Sequence, residues 1–177
     1  MTDAELAQAL RQAALLEGDF TLRSGRKSKY YLDKYLFETR PELLRELALR
    51  FARFVDQNTD RIAGAELGGI ALAAAAALET GRPFVIVRNS KKAGYGTGKL
   101  IEGRLNPKER VLLVEDIATS GGQAVEAINT LRASGAEVTG VVVVIDRQEG
   151  GRQAIESAGV AFHALFRSED LGIRPEG

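Results

Sequence analysis

From residue 61 onward, short apolar runs alternate with helix-forming stretches, and this rhythm restricts the fold more than any other feature of the chain. The runs that predict strands are Ile62–Ala65, Phe84–Arg88, Val111–Glu115, Val138–Asp146 and Val160–Phe166. The stretches that predict helices are Ile70–Thr80, Gln123–Ala133 and Arg152–Ala158. Strands that are almost continuously apolar and are separated by helices form a parallel sheet covered on both faces. The pattern therefore predicts an α/β fold with a central parallel sheet flanked by helices.

The N-terminal part of the chain does not follow this alternation. Thr2–Glu5 and Thr39–Glu42 have the pattern of a capping box, and each predicts the start of a helix. Phe20–Leu22 and Tyr30–Leu32 predict two short strands joined by a basic turn. We expect a hood of about 35 residues over the carboxyl edge of the sheet, and a core at about residues 60–166. No linker or composition break divides the chain, so residues 1–177 are predicted to form a single domain.

The composition excludes several classes of protein. The chain has 24 basic and 24 acidic side chains, so it lacks the basic excess that is typical of nucleic-acid-binding proteins. It has no cysteine, which excludes disulfides and thiolate sites, and its one histidine, His163, offers little for Ser-His-Asp catalysis. No apolar run reaches the roughly 18 residues of a membrane span, and no signal-like segment is evident. We expect a cytoplasmic protein that binds neither membrane nor nucleic acid.

An apolar run, an acidic pair and a turn rich in hydroxyl groups follow one another in Val111–Gln123. The run predicts a buried strand whose carboxyl end carries Glu115 and Asp116, and ligands of open α/β sheets bind at that edge. Thr119–Gly122 offers backbone N–H groups and two hydroxyls at a helix N-terminus, where the dipole favours a phosphate. Carboxylates repel phosphate, but they suit sugar hydroxyls or a bridging divalent cation. A phosphorylated sugar is the simplest ligand that has all these parts.

A basic, glycine-rich segment, Arg88–Lys99, follows the second predicted strand. Its glycines free the backbone, and its cations can neutralise a pyrophosphate that gains charge as it leaves. It is not a P-loop, because Gly98-Lys99 is followed by Leu100 rather than by serine or threonine. The alternative interpretation is a solvated hairpin with ordinary surface lysines.

Val111–Gln123 resembles the signature with which type I phosphoribosyltransferases bind 5-phosphoribosyl-1-diphosphate (PRPP). Further blocks resemble orotate phosphoribosyltransferases in matching order and spacing, and they are Phe20–Asp33, Gly64–Ile70, Tyr95–Gly98, Ile101–Gly103 and Asp146–Glu149. This resemblance implies the type I phosphoribosyltransferase fold with a small N-terminal hood. It also implies transfer of the phosphoribosyl group of PRPP to orotate, giving orotidine 5′-monophosphate and pyrophosphate in pyrimidine biosynthesis. Mg²⁺ would be the cofactor, bound through PRPP, with Asp116 as the candidate protein contact.

The resemblance further implies a homodimer, in which the mobile basic loop reaches the neighbouring subunit's site, and it assigns roles to individual residues. The catalytic residues would be Asp116 and Glu115, at the ribose hydroxyls, with Lys91 and Lys92 in the loop. The residues that would contact PRPP are Arg23, Glu66, Leu67, Gly68, Gly69, Arg88, Lys92, Tyr95, Glu115, Asp116, Ile117, Ala118, Thr119, Ser120, Gly121, Gly122 and Gln123. The residues that would contact orotate are Tyr31, Leu32, Thr119 and Arg147, and an arginine fork suits the planar orotate carboxylate.

The sequence departs from the family pattern in the basic segments. Arg23 stands where some members have lysine, and Tyr95 stands where some have histidine. One extra residue between Arg88 and Tyr95 leaves Lys91 and Lys92 as alternatives for the catalytic lysine.

Simpler interpretations of the same residues stay open. Ser120 could cap the next helix, Tyr31 could pack within the hood, and Arg147 could form a surface ion pair with Glu149. At the level of function, the alternatives are a phosphoribosyltransferase for another base and a non-catalytic regulator that senses PRPP.

Overall fold

A computed structural model describes residues 1–21, 25, 27–89 and 99–173 of the chain. The helices are α1 (Asp3–Ala14), α2 (Tyr35–Glu38), α3 (Pro41–Phe51), α4 (Gly68–Thr80), α5 (Gly122–Ala133) and α6 (Gly151–Ser157). The strands are β1 (Leu15–Thr21), β2 (Lys27–Leu32), β3 (Arg61–Ala65), β4 (Phe84–Val87), β5 (Ile101–Glu102), β6 (Arg110–Ala118), β7 (Glu137–Asp146) and β8 (Ala161–Arg167). Short 3₁₀ turns follow α3 and β8.

The main sheet has the strand order β5-β4-β3-β6-β7-β8. The pairs β4–β3, β3–β6, β6–β7 and β7–β8 are parallel, which confirms the predicted parallel core. The edge strand β5, which was not predicted, pairs antiparallel with β4, so the sheet is mixed at this edge. Its two residues are too few to show the alternation from which a strand is predicted.

Apolar side chains cover both faces of the sheet. On one face Leu112 and Val114 of β6 belong to the buried cluster that also contains residues of α1, α3 and α4. On the other face Val111 and Leu113 pack in the cluster formed with α5 and α6. Each fully buried side chain of this size contributes about 1.5–3 kcal/mol relative to leaving it exposed. This burial on both faces explains why β6 is a nearly continuous apolar run.

The N-terminal part divides between the core and a separate hairpin. The first capping box is confirmed, since the Glu5 N–H donates to Thr2 Oγ1 and the Thr2 N–H donates to Glu5 Oε2. Leu6 and Leu10 of α1 are buried in the same cluster as α3 and α4. Strands β1 and β2 form a two-stranded antiparallel sheet of their own. The hairpin, rather than α1, is therefore the part that is free to stand over the cleft, and the hood boundary near residue 35 stays a prediction.

The second predicted capping box, Thr39–Glu42, was wrong. Arg40 is the residue before α3, and no side chain caps that helix. The Thr39 hydroxyl donates to the Tyr35 carbonyl oxygen, and Glu42 pairs with Arg40 instead. The short helix α2, which the sequence pattern did not indicate, uses Thr39 at its C-terminal end.

The strand order brings distant parts of the chain to one edge of the sheet. Strands β3 and β6 are parallel neighbours, with Gly64 opposite Val114, so the turns that follow them lie side by side. Strand β7 lies on the other side of β6 and ends with Asp146 opposite Ala118. In the described ranges, no helix combines the length and the apolar character needed to cross a membrane.

Candidate active site

A tight turn, Thr119–Gly121, connects β6 to α5 at the carboxyl edge of the sheet. Gly121 has φ +79°, a left-handed conformation that suits glycine, and the helix begins at Gly122. No side chain caps α5, so the simpler interpretation of Ser120 as a helix cap is wrong. The first N–H groups of a helix have no partner within it, and the helix dipole favours an anion there. The turn and the start of α5 therefore form a suitable cradle for a phosphate.

This turn forms one wall of a cleft of about 690 Å³, a volume that is typical of small-molecule sites. Tyr31, from the hairpin, and Arg147, just after β7, line the same cleft. The other lining residues are Glu115, Ile117, Ala118, Thr119, Ser120, Gly121, Gly122, Gln123, Ala124, Glu126, Val143 and Glu149. The cleft thus brings together ten of the twenty residues that were predicted to contact PRPP or orotate.

Arg147, which lines the cleft, lies beside the tyrosines of β2. The Arg147 guanidinium donates to Tyr30 Oη over 3.3 Å and lies 2.9 Å from Glu149 Oε1. Tyr31 is 44% exposed, whereas Leu32 is 6% exposed and packs in the main core. The two neighbours differ because successive side chains of a strand point to opposite faces. The side chain of Leu32 therefore does not line the cleft, and Tyr30, which was not predicted, contacts Arg147.

The acidic pair lies inside β6 rather than after it, because the strand continues to Ala118 instead of ending at Glu115. Glu115 lines the cleft wall, whereas Asp116 points toward the start of α4. Glu115 is buried, and burial, reinforced by the neighbouring charge of Asp116, raises its pKa to about 8. Its Oε1 has no hydrogen-bond partner among the described residues. Glu115 is therefore neutral at pH 7 in this state.

Two charged residues beside Asp116 were not predicted from the sequence. The Lys34 ammonium lies 2.6 Å from Asp116 Oδ2, and Asp116 is buried. Burial lowers the pKa of Lys34, but the charge of Asp116 and the hydrogen bond to it, with smaller contributions from Tyr35 and Glu38, together outweigh burial, so the pKa is raised. Burial and then the charge of Asp116 raise the pKa of Glu38 to about 7. Lys34 and Glu38 lie shortly after Tyr30 and Tyr31 and are four residues apart. This spacing, which places two side chains on the same side of a helix, was the one feature of the sequence that could have indicated the pair.

The turn after β3, Glu66–Gly69, lies against the acidic pair. A Cβ atom on Gly68 would lie only 1.8 Å from Asp116 Oδ2, so only glycine allows this approach. The Glu66–Leu67 peptide bond is cis, and Leu67 is 65% exposed. Asn89 holds the turn, because its N–H donates to Glu66 Oε1 and its side-chain amide donates to the Glu66 carbonyl.

Arg88 lies away from the main cleft. Its guanidinium is 3.6 Å from Glu102, and its N–H donates to the Leu100 carbonyl. It lines a second, smaller cavity of about 260 Å³ against α5. Arg23, Lys91, Lys92 and Tyr95 lie outside the described residues, so their predicted roles stay predictions.

Comparison with known proteins identifies the family. A family model of the phosphoribosyl transferase domain matches residues 38–162. An orotate phosphoribosyltransferase of Methanocella arvoryzae is 48% identical over 175 residues, which cover 98% of this chain and 99% of the relative. The chain belongs to the orotate phosphoribosyltransferase family.

Solved orotate phosphoribosyltransferases have the same fold. The enzyme of Mycobacterium tuberculosis H37Rv in complex with Fe(III) dicitrate is 33% identical, with a TM-score of 0.86 over 97% of this chain and 99% of that chain. The same enzyme in complex with PRPP is 32% identical, with a TM-score of 0.79 over the same shares of the two chains. The prediction of a type I phosphoribosyltransferase fold is confirmed.

The arrangement of the acidic side chains decides how the protein itself could hold a metal ion. Within the ranges that the structure describes, no group of three or more histidine, cysteine or acidic side chains is arranged to hold a metal ion. In this orotate phosphoribosyltransferase, Asp116 Oδ2 is engaged by Lys34, and Oδ1 accepts a hydrogen bond from the Ile117 N–H. Both carboxylate oxygens of Asp116 thus already have partners within the protein.

Proposed function

We propose that this protein transfers the phosphoribosyl group of PRPP to orotate, giving orotidine 5′-monophosphate and pyrophosphate in pyrimidine biosynthesis. One observation carries the proposal. A single cleft is lined by a phosphate cradle, Thr119–Gln123, by Glu115 of the acidic pair, and by Arg147 and Tyr31. Family membership and the PRPP complex of the mycobacterial relative support the choice of donor.

The donor would lie along the carboxyl edge of the sheet. The turn Thr119–Gly121 and the start of α5 would bind the 5′-phosphate through backbone N–H groups. Asp116 and Glu115 would hold the ribose hydroxyls, and the turn Glu66–Gly69 would face the pyrophosphate. The close approach of Gly68 to Asp116 supports this arrangement, because it places the turn Glu66–Gly69 beside β6, the strand that leads into the turn Thr119–Gly121.

The acceptor would lie in the same cleft beside Arg147 and Tyr31. Orotate is a planar anion, and the Arg147 guanidinium offers paired donors to its carboxylate. Tyr31 is exposed on the cleft side and can cover a flat ring. Glu149, the present partner of Arg147, would give way to the substrate carboxylate.

The reaction would be a displacement at the anomeric carbon of the ribose. A ring nitrogen of orotate forms the new bond to that carbon, and pyrophosphate leaves with the electron pair of the broken C–O bond. Orotate that binds already ionised needs no strong base on the protein. The residues of the cleft then act by holding the two reactants in line and by stabilising charge, which suits a chain with no cysteine and one histidine.

Mg²⁺ fits this site as a companion of the substrate. The donors at hand are carboxylate oxygens, which Mg²⁺ prefers, but both oxygens of Asp116 already have partners. The ion would therefore be held chiefly by PRPP oxygens, with Asp116 as the protein group nearest to it. When bound, Mg²⁺ would supply positive charge that neutralises the pyrophosphate.

The basic loop and the dimer complete the proposal. The loop, with Lys91 and Lys92, would close over the site of the neighbouring subunit in a homodimer. This arrangement rests on the family resemblance, as does the cytoplasmic location.

The direct test is the loss of orotate's ultraviolet absorbance when the purified protein is mixed with PRPP and Mg²⁺. We expect a decrease that requires all three components, with controls that omit Mg²⁺ or PRPP. A panel of adenine, hypoxanthine and uracil, offered in place of orotate, tests the choice of base. Turnover of another base in preference to orotate would contradict the proposed acceptor. PRPP binding without turnover of any base would favour a regulator that senses PRPP.

A further inference from the structure

The connection from the hairpin to the core carries two charged side chains that the proposed reaction does not use. Lys34 immediately precedes α2 and Glu38 ends it, so the two are one helical turn apart. Both point inward, and Glu38 is 4% exposed. The Lys34 ammonium contacts Asp116 at 2.6 Å, and the Glu38 carboxyl lies within hydrogen-bonding reach of Asp116.

The Asp116 carboxylate has three close neighbours among the described residues. On one side the backbone of Gly68 leaves no room, since a Cβ there would lie 1.8 Å from Oδ2. On the other side the Lys34 ammonium contacts the same oxygen. The Ile117 N–H donates to Oδ1. These contacts fix the direction in which the carboxylate presents its remaining lone pairs.

Of the residues that the structure shows in contact with Asp116, Lys34 is the one that carries a positive charge. Three carboxyl groups, those of Glu38, Glu115 and Asp116, share one buried region, and like charges disfavour one another there. The turn Glu66–Gly69 on the far side has no cationic side chain. Lys34, which pairs with Asp116, therefore provides positive charge that lets a carboxylate stay in this region.

We propose that Lys34 is a positioning residue, which holds the Asp116 carboxylate in the orientation that accepts the ribose hydroxyls of PRPP. This inference rests on the proposed function, because it takes PRPP as the ligand of Asp116. It links the hairpin to the sugar site through α2, since Lys34 lies two residues after the end of β2. Acting through Asp116, Lys34 contributes to donor binding and not to orotate binding.

The test compares Lys34→Met, which keeps the length of the side chain without its charge, with Lys34→Arg, which keeps the charge. Lys29→Met is the matched control, because Lys29 is an exposed lysine of the hairpin that pairs with Asp19. For Lys34→Met we expect the KM for PRPP to rise about tenfold or more, while the KM for orotate changes by less than about twofold. Lys34→Arg should restore most of the PRPP affinity, and Lys29→Met should behave like the wild type.

A second readout does not depend on turnover. PRPP with Mg²⁺ should raise the melting temperature of the wild type and of Lys29→Met, because a ligand stabilises the state that binds it. The increase should be much smaller for Lys34→Met at the same PRPP concentration. Lys34→Gln, which keeps a hydrogen-bond donor, replaces Lys34→Met if that variant does not fold.

The outcomes separate this inference from the proposed function. A wild type that neither consumes orotate nor gains stability from PRPP contradicts the function. If Lys34→Met has the same KM for PRPP as the wild type and gains the same stability from PRPP, the positioning role is contradicted while the proposed function stands. Tighter PRPP binding by Lys34→Met also contradicts it, since Lys34 would then be blocking Asp116. A fall in kcat with both KM values unchanged points to a purely structural role and likewise overturns the inference.

Discussion

Glu115 shows how the site shapes the ionisation of a single side chain. It lies buried in β6 beside Asp116, and Oε1 has no hydrogen-bond partner among the described residues. In the unfolded chain the carboxyl group ionises near its ordinary pKa of 4.5, whereas in the folded protein the pKa is raised to about 8. Between these values the folded state binds more protons than the unfolded state. Glu115 therefore contributes a loss of stability as the pH rises through this range.

The variant Glu115→Gln should remove this loss. Glutamine has the same shape and no proton to lose, so the free energy of unfolding of the variant should exceed that of the wild type. The difference should grow from near zero at pH 4.5 to on the order of 1–3 kcal/mol at pH 8. Denaturant unfolding across that pH range, without Mg²⁺ or substrate, measures it.

The control for this measurement is Glu137→Gln, at an exposed carboxylate at the start of β7. It should leave the pH dependence of stability unchanged. Equal slopes for the wild type and Glu115→Gln would show that Glu115 is ionised in the folded protein, contrary to the expectation.

At the level of single residues, the sequence predicted the parts of the site that form one local motif. It missed contacts between residues that lie far apart in the chain. The turn Thr119–Gly122 was predicted because a strand, a turn and a helix follow one another directly. Lys34 could not be predicted to pair with Asp116, since 82 positions of the chain separate them and only the fold joins them. Leu32 was grouped with Tyr31 although alternation along a strand separates their side chains.

At the level of elements, the phosphate turn depends on the helix packed behind it. A Cβ atom on Gly121 would lie 2.8 Å from the Gly151 carbonyl oxygen, and one on Gly151 would lie 2.9 Å from the Thr119 carbonyl oxygen. The backbone of the turn and the start of α6 are thus in direct contact. This contact sets the position of the turn relative to the sheet.

The variant Gly151→Ala tests this dependence. The added methyl group must push the turn away from α6, and we expect a loss of stability of about 1–3 kcal/mol together with a several-fold higher KM for PRPP. Steady-state kinetics and thermal unfolding measure the two effects. Gly140→Ala is the matched control, since its methyl group would meet Leu112 of the neighbouring strand β6 at 3.4 Å, an ordinary contact. An unchanged KM for PRPP in Gly151→Ala would mean that α6 does not position the turn.

Periodicity predicted the long elements better than the short ones. The strands and helices from β3 onward appear where the apolar pattern placed them, with ends shifted by a few residues. The end of β6 differs most in meaning from the prediction. The strand continues through the acidic pair to Ala118, because Glu115 and Ala118 still pair with β7. The elements that were missed, β5 and α2, have two and four residues, too few for a period to emerge.

At the level of the whole molecule, the proposed homodimer allows a complementation test. Asp116→Asn should damage the sugar site, and Lys91→Ala/Lys92→Ala should damage the loop, each lowering kcat at least about a hundredfold. The two variants are co-expressed with different tags, and the mixed dimer is isolated through both tags. If the loop serves the neighbouring site, one of the two sites is intact, and the mixed dimer should show about half of the wild-type activity.

A mixed dimer of the wild type with Asp116→Asn is the control, because it retains one intact site whichever site the loop serves. The loop would act within its own subunit if the dimer of Asp116→Asn with Lys91→Ala/Lys92→Ala were no more active than the two variants alone, while this control kept half of the wild-type activity. Failure to recover any protein through both tags would contradict the dimer itself.

The pairing of β3 with β6 has a consequence for how the protein acquires its activity. The turns Glu66–Gly69 and Thr119–Gly121 follow these two strands and belong to segments that are made far apart in time during synthesis. Neither turn faces the other until the two strands have paired across the intervening chain, and such non-local pairing is the slow part of folding. The affinity for PRPP should therefore arise late, after most helices have formed. In a refolding experiment, the return of PRPP binding would mark completion of the sheet.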